Sequence, residues 1–290
     1  MFPKAPDQHK PSKPLIPNGL GVIYVLASVV YIFLVYSLDI VKASNGVSPS
    51  LTLAVGILFG GFLGMLDDWI DLRWRLKAFL PLIAAIPLAT FASIMLPTLR
   101  TTIVIPFVGT FDFGASYCFL VIPILVTIVT NTVNMLGGLN GLETVCPAII
   151  MIGLMTVSGS KAILLICPMI IWLILAFHNF RGRIFVGNTG SFAIGMTLAS
   201  FAIISDLKFA LAISILPYVV NSLLILVTFF LYSKKANASF DGKKLVSDHR
   251  RSLITLITYH RPLTERQVVI IVSLFVAVST AVGILLFPLL

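Results

Sequence analysis

The chain has 290 residues, 58% of them hydrophobic and only 11% charged, with a mean hydropathy of +1.06. A soluble domain of this length cannot hide so much apolar surface, so the composition predicts an all-α polytopic membrane protein. The net charge of +9 would suit nucleic acid in a soluble chain, but here its distribution follows membrane topology and no nucleic-acid partner is expected.

In chain order, the first element is a hydrophilic segment carrying Pro3, Pro6, Pro11, Pro14 and Pro17, which resists helix formation. Apolar runs of membrane length then fall at about 19–40, 49–66, 78–99, 114–133, 144–160, 162–177, 187–205, 209–232 and 268–290, predicting about nine transmembrane helices. Between the third and fourth lies TTIVIPFVGTFDFG, residues 101–114. Its β-branched and aromatic residues flank Val108-Gly109 and predict a short external β-hairpin. The loop 233–267 is the sizeable soluble piece, with DGKK at 241–244 as a turn inside it. No internal repeat is visible, so residues 1–290 read as a single membrane domain. Cys118, Cys146 and Cys167 lie in apolar runs without paired spacing and read as small buried hydrophobes.

With nine crossings, sixteen of the twenty Lys and Arg residues fall on one side, and only Lys42, Arg100, Lys161 and Lys208 fall on the other. The richer side is therefore predicted to be cytoplasmic. Four polar clusters gather on it. The stretch GMLDDWIDLRWRLK holds Asp67, Asp68 and Asp71 in a chain with only eleven acidic residues. If helix continues through it, Asp67 and Asp71 share a face and Asp68 is turned about 100° away. Adjacent carboxylates at this depth want a metal ion or basic partners. The stretch TNTVNMLGGLNGLE places Asn131, Asn134 and Asn140 among Gly137, Gly138 and Gly141, a mixture suited to a phosphate or nucleotide, or to a plain polar turn. In RGRIFVGNTGSFAIG a span begins near Gly187, which offers either an anion site at a helix N-terminus or simple capping by Asn188 or Thr189. The long loop supplies Lys234-Lys235 and Asp248-His249-Arg250-Arg251. Acids, amides, glycines and bases on one membrane face fit Mg²⁺-assisted handling of a polyanionic substrate.

LDDWIDLRWRLK, NTVNMLGGLNGLE and RIFVGNTGSFAIG, in this order and spacing, resemble the polyprenyl-phosphate N-acetylhexosamine-1-phosphate transferases, a glycosyltransferase family 4-like group. The LRWRxK tail and the NGLE element are most similar to the eukaryotic and archaeal branch that starts dolichol-linked glycan assembly with UDP-GlcNAc, and DQHKPSKPLIPNGLG resembles its first cytoplasmic loop. The resemblance implies transfer of a sugar-1-phosphate from a UDP-N-acetylhexosamine to a polyprenyl or dolichyl phosphate, with release of UMP. It also implies Mg²⁺, with Mn²⁺ as an alternative, in an integral membrane enzyme whose site faces the cytoplasm. The membrane would be the cell membrane of a prokaryote or the endoplasmic reticulum of a eukaryote, and a homodimer is compatible with it.

By motif position, Asp67 and Asp68 become the paired acids, for deprotonating the lipid phosphate or organising the metal. Asp71 stands where the branch often has Asn, and is grouped with them. Lys77 is expected at substrate phosphate, Asn134 at the metal, and Asn140 near nucleotide and sugar, with Gly138 among the substrate-binding residues. The pyrophosphate-gripping basic element is either Lys234-Lys235 or His249-Arg250. Two departures stand out. Asn188 occupies the place of a metal-binding Asp, and an amide adds no negative charge. The family's first of ten helices also has no counterpart ahead of residue 19, which suggests a truncated start. DDWID also fits the DDxxD pattern of Mg²⁺-dependent intramembrane prenyltransferases, and a membrane transporter is a third reading. The first lacks a second Asp-rich motif here, and the second lacks mid-span ionisable residues and repeated halves.

Overall fold

A computed structural model describes residues 2–10, 12–43, 45–96, 99–105, 109–233 and 238–287. Among its described residues the proline-rich start forms no helix. Strands β1 (Lys4–Pro6) and β2 (Leu15–Pro17) pair antiparallel instead. Helices α1 (Gly21–Ser37) and α2 (Pro49–Ile70) follow, and α2 begins with Ser48 accepting the Leu51 N–H and Pro49 at its first position. Next come α3 (Trp74–Ala84) and α4 (Ile86–Ile94), together one span. The hairpin expected near 101–114 is present: β3 (Thr102–Ile105) pairs with β4 (Gly109–Asp112). Its turn lies outside the described residues.

A π-helical turn at Tyr117–Val121 leads into α5 (Ile122–Met135). Helix α6 (Leu142–Val157), a 3-10 segment at Gly159–Leu165 and α7 (Ile166–Phe180) come next. The chain continues with α8 (Gly187–Ile204), α9 (Lys208–Ser214) and α10 (Leu216–Tyr232). The predicted turn over 241–244 joins β5 (Ser239–Phe240) to β6 (Leu245–Val246), and Asp241 accepts the Lys243 and Lys244 N–H groups there. Helix α11 (Leu253–Tyr259) lies in the same loop, and α12 (Glu265–Leu286) closes the bundle.

Among the described residues, six helical segments are long and apolar enough to span a bilayer, and α9–α10, bent by 55°, makes a seventh. Helices α1 and α6, of 17 and 16 residues, take the two remaining expected places. The single run predicted at 209–232 is therefore broken, at Ile215, just before Pro217. Large apolar side chains such as Leu26, Phe33, Ile83, Phe119, Ile170 and Leu274 are exposed, as a lipid-facing surface requires. Helix α8 differs from the others: every residue from Thr189 to Ile204 is buried, so it forms the axis of the bundle. The chain is an integral, multi-pass membrane protein. The three cysteines are free, Cys118 and Cys146 buried and Cys167 half-buried.

Candidate active site

Glycines set the position of the acidic motif. Gly56, Gly60 and Gly64 recur every four residues along one stripe of α2 and face α8. A Cβ at Gly56 would lie 2.5 Å from Ser200 Oγ, one at Gly60 would lie 2.7 Å from the Phe192 carbonyl, and one at Gly64 would overlap the Asn188 carbonyl. This close approach carries Asp68, in the last turn of α2, to the first turn of α8. Asp68 Oδ1 accepts the Asn188 N–H at 2.9 Å, and Oδ2 accepts the Thr189 N–H at 2.9 Å and the Thr189 hydroxyl at 2.7 Å. Neither Asn188 nor Thr189 is the N-cap, which is Val186. The anion at this helix N-terminus is the chain's own carboxylate, where free N–H groups and the helix dipole stabilise it.

Asp67 is buried, at 3% exposure. Its Oδ1 lies 2.8 Å from Lys77 Nζ and accepts the Leu72 N–H, while Oδ2 is buried without a hydrogen-bond partner. Helix α2 stops at Ile70, and Asp71 is its left-handed C-cap at φ +45°. Asp71 therefore does not share a helical face with Asp67, and its side chain is almost wholly exposed, 3.3 Å from Lys77 Nζ. One lysine thus bridges two of the three acids.

The N-terminal hairpin lies across the same end of the bundle. Lys10 Nζ donates to the Gly182 carbonyl at 3.0 Å and pairs with Asp7 at 3.0 Å, and the Phe185 N–H donates to the Pro17 carbonyl. Asp7, buried, accepts from Asn140 Nδ2 at 2.9 Å. Burial alone would raise the Asp7 pKa, but the hydrogen bonds from Lys10 and Asn140 outweigh it and hold the carboxyl below its ordinary value. Glu265, in the first turn of α12, accepts from both the backbone N–H and Nδ2 of Asn140. With its NH₂ group taken by two carboxylates, the amide presents Oδ1, which is buried and has no partner. Next to it, the fully buried Asn179 accepts from Gly141 N–H and Thr144 Oγ1 and donates to Glu143 and to the Ile184 carbonyl, tying the two glycine-containing loops together.

These residues enclose two adjoining cavities. One, of about 260 Å³, is polar and is lined by Asp7, Asp68, Asn140, Glu143 and Asn188. The other, of about 960 Å³, has an apolar wall that includes Trp74, Ile225, Phe229 and Phe230. Gln8, His9, Gly138 and Leu139 border both. Gly138 has φ +102° with nothing near its Cβ position, so the loop crosses between the cavities as bare backbone.

Of the residues singled out from sequence, Asp68, Gly138, Asn140 and Asn188 come together here, whereas Asp67, the residue before Asp68 in α2, and its partner Lys77 line neither cavity. Asn134 is half-buried in the last turn of α5 and borders neither cavity. His249 and Arg250 line neither; Arg250 Nη2 is 2.8 Å from His260 Nε2, and its guanidinium stacks on Tyr259. Lys234 and Lys235 lie outside the described residues. Asp7, Lys10, Asn179 and Glu265 join the site without having been expected there; DQHK carries a signal in its resemblance to the family's first cytoplasmic loop, whereas no motif surrounds Glu265. Among the described residues no three His, Cys, Asp or Glu side chains converge tightly enough to hold a metal alone.

A multi-pass helical bundle with an acid- and amide-lined cavity opening beside an apolar one is a membrane protein equipped to bring a polar molecule to a lipid. The chain belongs to glycosyl transferase family 4, whose family model matches residues 50–206. It is 32% identical, over 97% of its length and 87% of the relative's, to a Saccharolobus solfataricus protein provisionally named as a UDP-N-acetylglucosamine–dolichyl-phosphate N-acetylglucosaminephosphotransferase. It is 26% identical to the Dictyostelium discoideum protein of that name, over 92% of this chain and 76% of the relative. A Clostridioides difficile phospho-N-acetylmuramoyl-pentapeptide-transferase is 27% identical over 68% of this chain and 64% of its own.

Proposed function

We propose that this protein transfers N-acetylglucosamine-1-phosphate from UDP-N-acetylglucosamine to a dolichyl-type polyprenyl phosphate, with its site on the cytoplasmic face. The observation that carries this reading is the shared wall of Gln8, His9, Gly138 and Leu139 between a polar and an apolar cavity. A nucleotide sugar suits the first, and an isoprenoid chain with its phosphate suits the second. The names of the two relatives matched over most of this chain agree with it. Family membership favours this reading over the DDxxD prenyltransferase and the transporter.

In the proposed reaction an oxygen of the lipid phosphate attacks the β-phosphorus of the UDP-sugar. A new P–O bond forms, the bond between the β-phosphorus and the bridging oxygen breaks, and UMP leaves with that oxygen. Asn140, oriented by Asp7 and Glu265, offers Oδ1 as an acceptor to the nucleotide end. Lys77 and the Leu72 N–H hold Asp67 Oδ1, which leaves Oδ2 as the oxygen available to the reaction centre. Asp68 fixes the α8 N-terminus against which Asn188 is presented.

The residues fit a divalent cation. The unpartnered Oδ2 of Asp67 is a buried carboxylate oxygen with no donor, and Mg²⁺ typically takes one or two carboxylates and leaves the rest to substrate phosphate and water. Asp67, Asp68 and Asn188 would hold it. When bound, Mg²⁺ supplies charge neutralisation on the pyrophosphate.

Incubating the purified protein with labelled UDP-GlcNAc and polyprenyl phosphate tests the reading. The expected products are UMP and a labelled pyrophosphoryl lipid. Release of UDP instead would mean transfer of the sugar alone and would overturn it.

A further inference from the structure

We propose a second lipid site at the opposite end of the bundle, one that takes an anionic membrane lipid with a hydrocarbon chain inside the protein and the phosphate at its rim. A cavity of about 420 Å³ opens there, walled by Ile103, Val121, Leu125, Phe209, Ile213 and Leu216. Its shape comes from three irregular pieces of backbone: the π-helical turn before α5, the 55° break between α9 and α10, and the α8–α9 turn, where Asp206 adopts φ +56°. A straight span at 208–232 would pack along its neighbours without leaving such a gap.

The rim is charged, and its charge is unbalanced. Arg100, Asp206 and Lys208 line it. Lys208 Nζ is 2.6 Å from Asp206 Oδ1 and sits over the Tyr117 ring, and Arg100 Nε is 3.7 Å from Asp206 Oδ2. Lys161 Nζ donates to the carbonyl of Ile204, two residues before Asp206. Two of the four basic residues assigned to this side of the membrane therefore pair with the one carboxylate on the rim. Two positive charges against one negative on the cavity lining leave one in excess. The Arg100 side chain is 65% exposed, within reach of a headgroup.

Apolar walls select a hydrocarbon chain, and a cationic rim at the end of membrane-spanning helices selects an anionic headgroup. A soluble anion would leave the cavity unused, and a neutral lipid would leave the charge unused. The site is independent of the transferase reading, since none of its residues belongs to the other end.

The test is thermal unfolding of the full chain in neutral detergent, with phosphatidylglycerol or phosphatidylcholine of the same chains added. Phosphatidylglycerol is expected to raise Tm by several degrees, with little effect from phosphatidylcholine or inorganic phosphate. Ala212→Phe, which fills the cavity, and Arg100→Gln, which reduces the rim charge, are each expected to remove most of that rise and to leave sugar-phosphate transfer unchanged. An equal rise with phosphatidylcholine, or with inorganic phosphate alone, would overturn the proposal. So would a phosphatidylglycerol-specific rise that survives in both variants, and if Ala212→Phe fails to fold, Arg100→Gln alone decides.

Discussion

Glu265 Oε1 accepts two hydrogen bonds from Asn140, at 2.7 Å from the backbone N–H and at 3.0 Å from Nδ2, across 125 residues of chain. This contact clamps the start of the last helix to the loop at the centre of the candidate site. With Asp7 taking the other share of the NH₂ group, it decides which atom of the amide faces the substrate. Glu265→Ala removes a charged acceptor worth about 1.5–3 kcal/mol, or roughly 10- to 100-fold in kcat/KM. The loss should appear mainly as a higher KM for UDP-GlcNAc, with partial recovery in Glu265→Gln. Steady-state kinetics with the sugar nucleotide varied would show it, and an unchanged KM would remove Glu265 from the site.

The same clamp predicts a pH dependence. The Asp7 carboxyl titrates below its ordinary value because Lys10 and Asn140 stabilise its charged form against the effect of burial. A depressed folded-state pKa means that the stabilisation is complete above the unfolded value of about 3.9 and is lost as pH falls through the lower folded one. The hairpin should therefore hold from neutral pH down to about 4 and loosen below it. Limited proteolysis within residues 7–14 across that range is the measurement, and Asp7→Asn should cleave readily even at neutral pH.

Asp68 and Asp67 sit side by side but should fail differently. Asp68→Ala leaves two backbone N–H groups and one hydroxyl at the head of α8 without their acceptor, at about 1–3 kcal/mol for each buried group. Both Tm and activity should fall, and Asp68→Asn, which keeps one acceptor oxygen, should be intermediate. Asp67→Asn keeps the packing and removes the charge beside Lys77, so activity should fall far more than Tm. Thermal unfolding and product assays on the three variants separate the cases; equal Tm losses at both positions would refute the distinction.

The spans and the acidic motif were legible because their causes are local. Apolar runs of membrane length declare themselves, and the three aspartates stand out in a chain with only eleven acidic residues. The break in α10 is also local, with Pro217 at its start, but an unbroken apolar run hid it. What was not legible is long-range. Nothing near Asn188 reveals that Asp68, 120 residues earlier, will satisfy its N–H, so the helix N-terminus looked like a place for a substrate anion. Asp71 was misplaced for a local reason, since a left-handed cap at Asp71 ends α2 one residue short of it. Glu265 carried too little pattern to stand out from other acids, because its partner is fixed only by the packing of α12.

Packing at the α2–α8 crossing should be as sensitive as the chemistry it supports. Gly64→Ala drives a methyl group into the Asn188 carbonyl, and neither helix can yield without moving Asp68 from the N–H groups it holds. Overpacking of this kind costs about 1–3 kcal/mol. The expected result is a lower Tm together with a weaker response to Mg²⁺, because Asp68 and Asn188 shift as a pair.

Asn188→Asp tests the amide's place at the proposed metal site. Asn188 lines the polar cavity with Asp68, Glu143 and Asp7, and a carboxylate there adds the negative charge that Mg²⁺ prefers. Half-maximal activity should then be reached at several-fold lower Mg²⁺, and the packing should tolerate an isosteric change that leaves the backbone bond from residue 188 to Asp68 untouched. The comparison needs a Mg²⁺ titration of both proteins at fixed substrate. Identical curves would mean that residue 188 does not touch the ion, and the proposed ligand set would contract to the aspartates of α2.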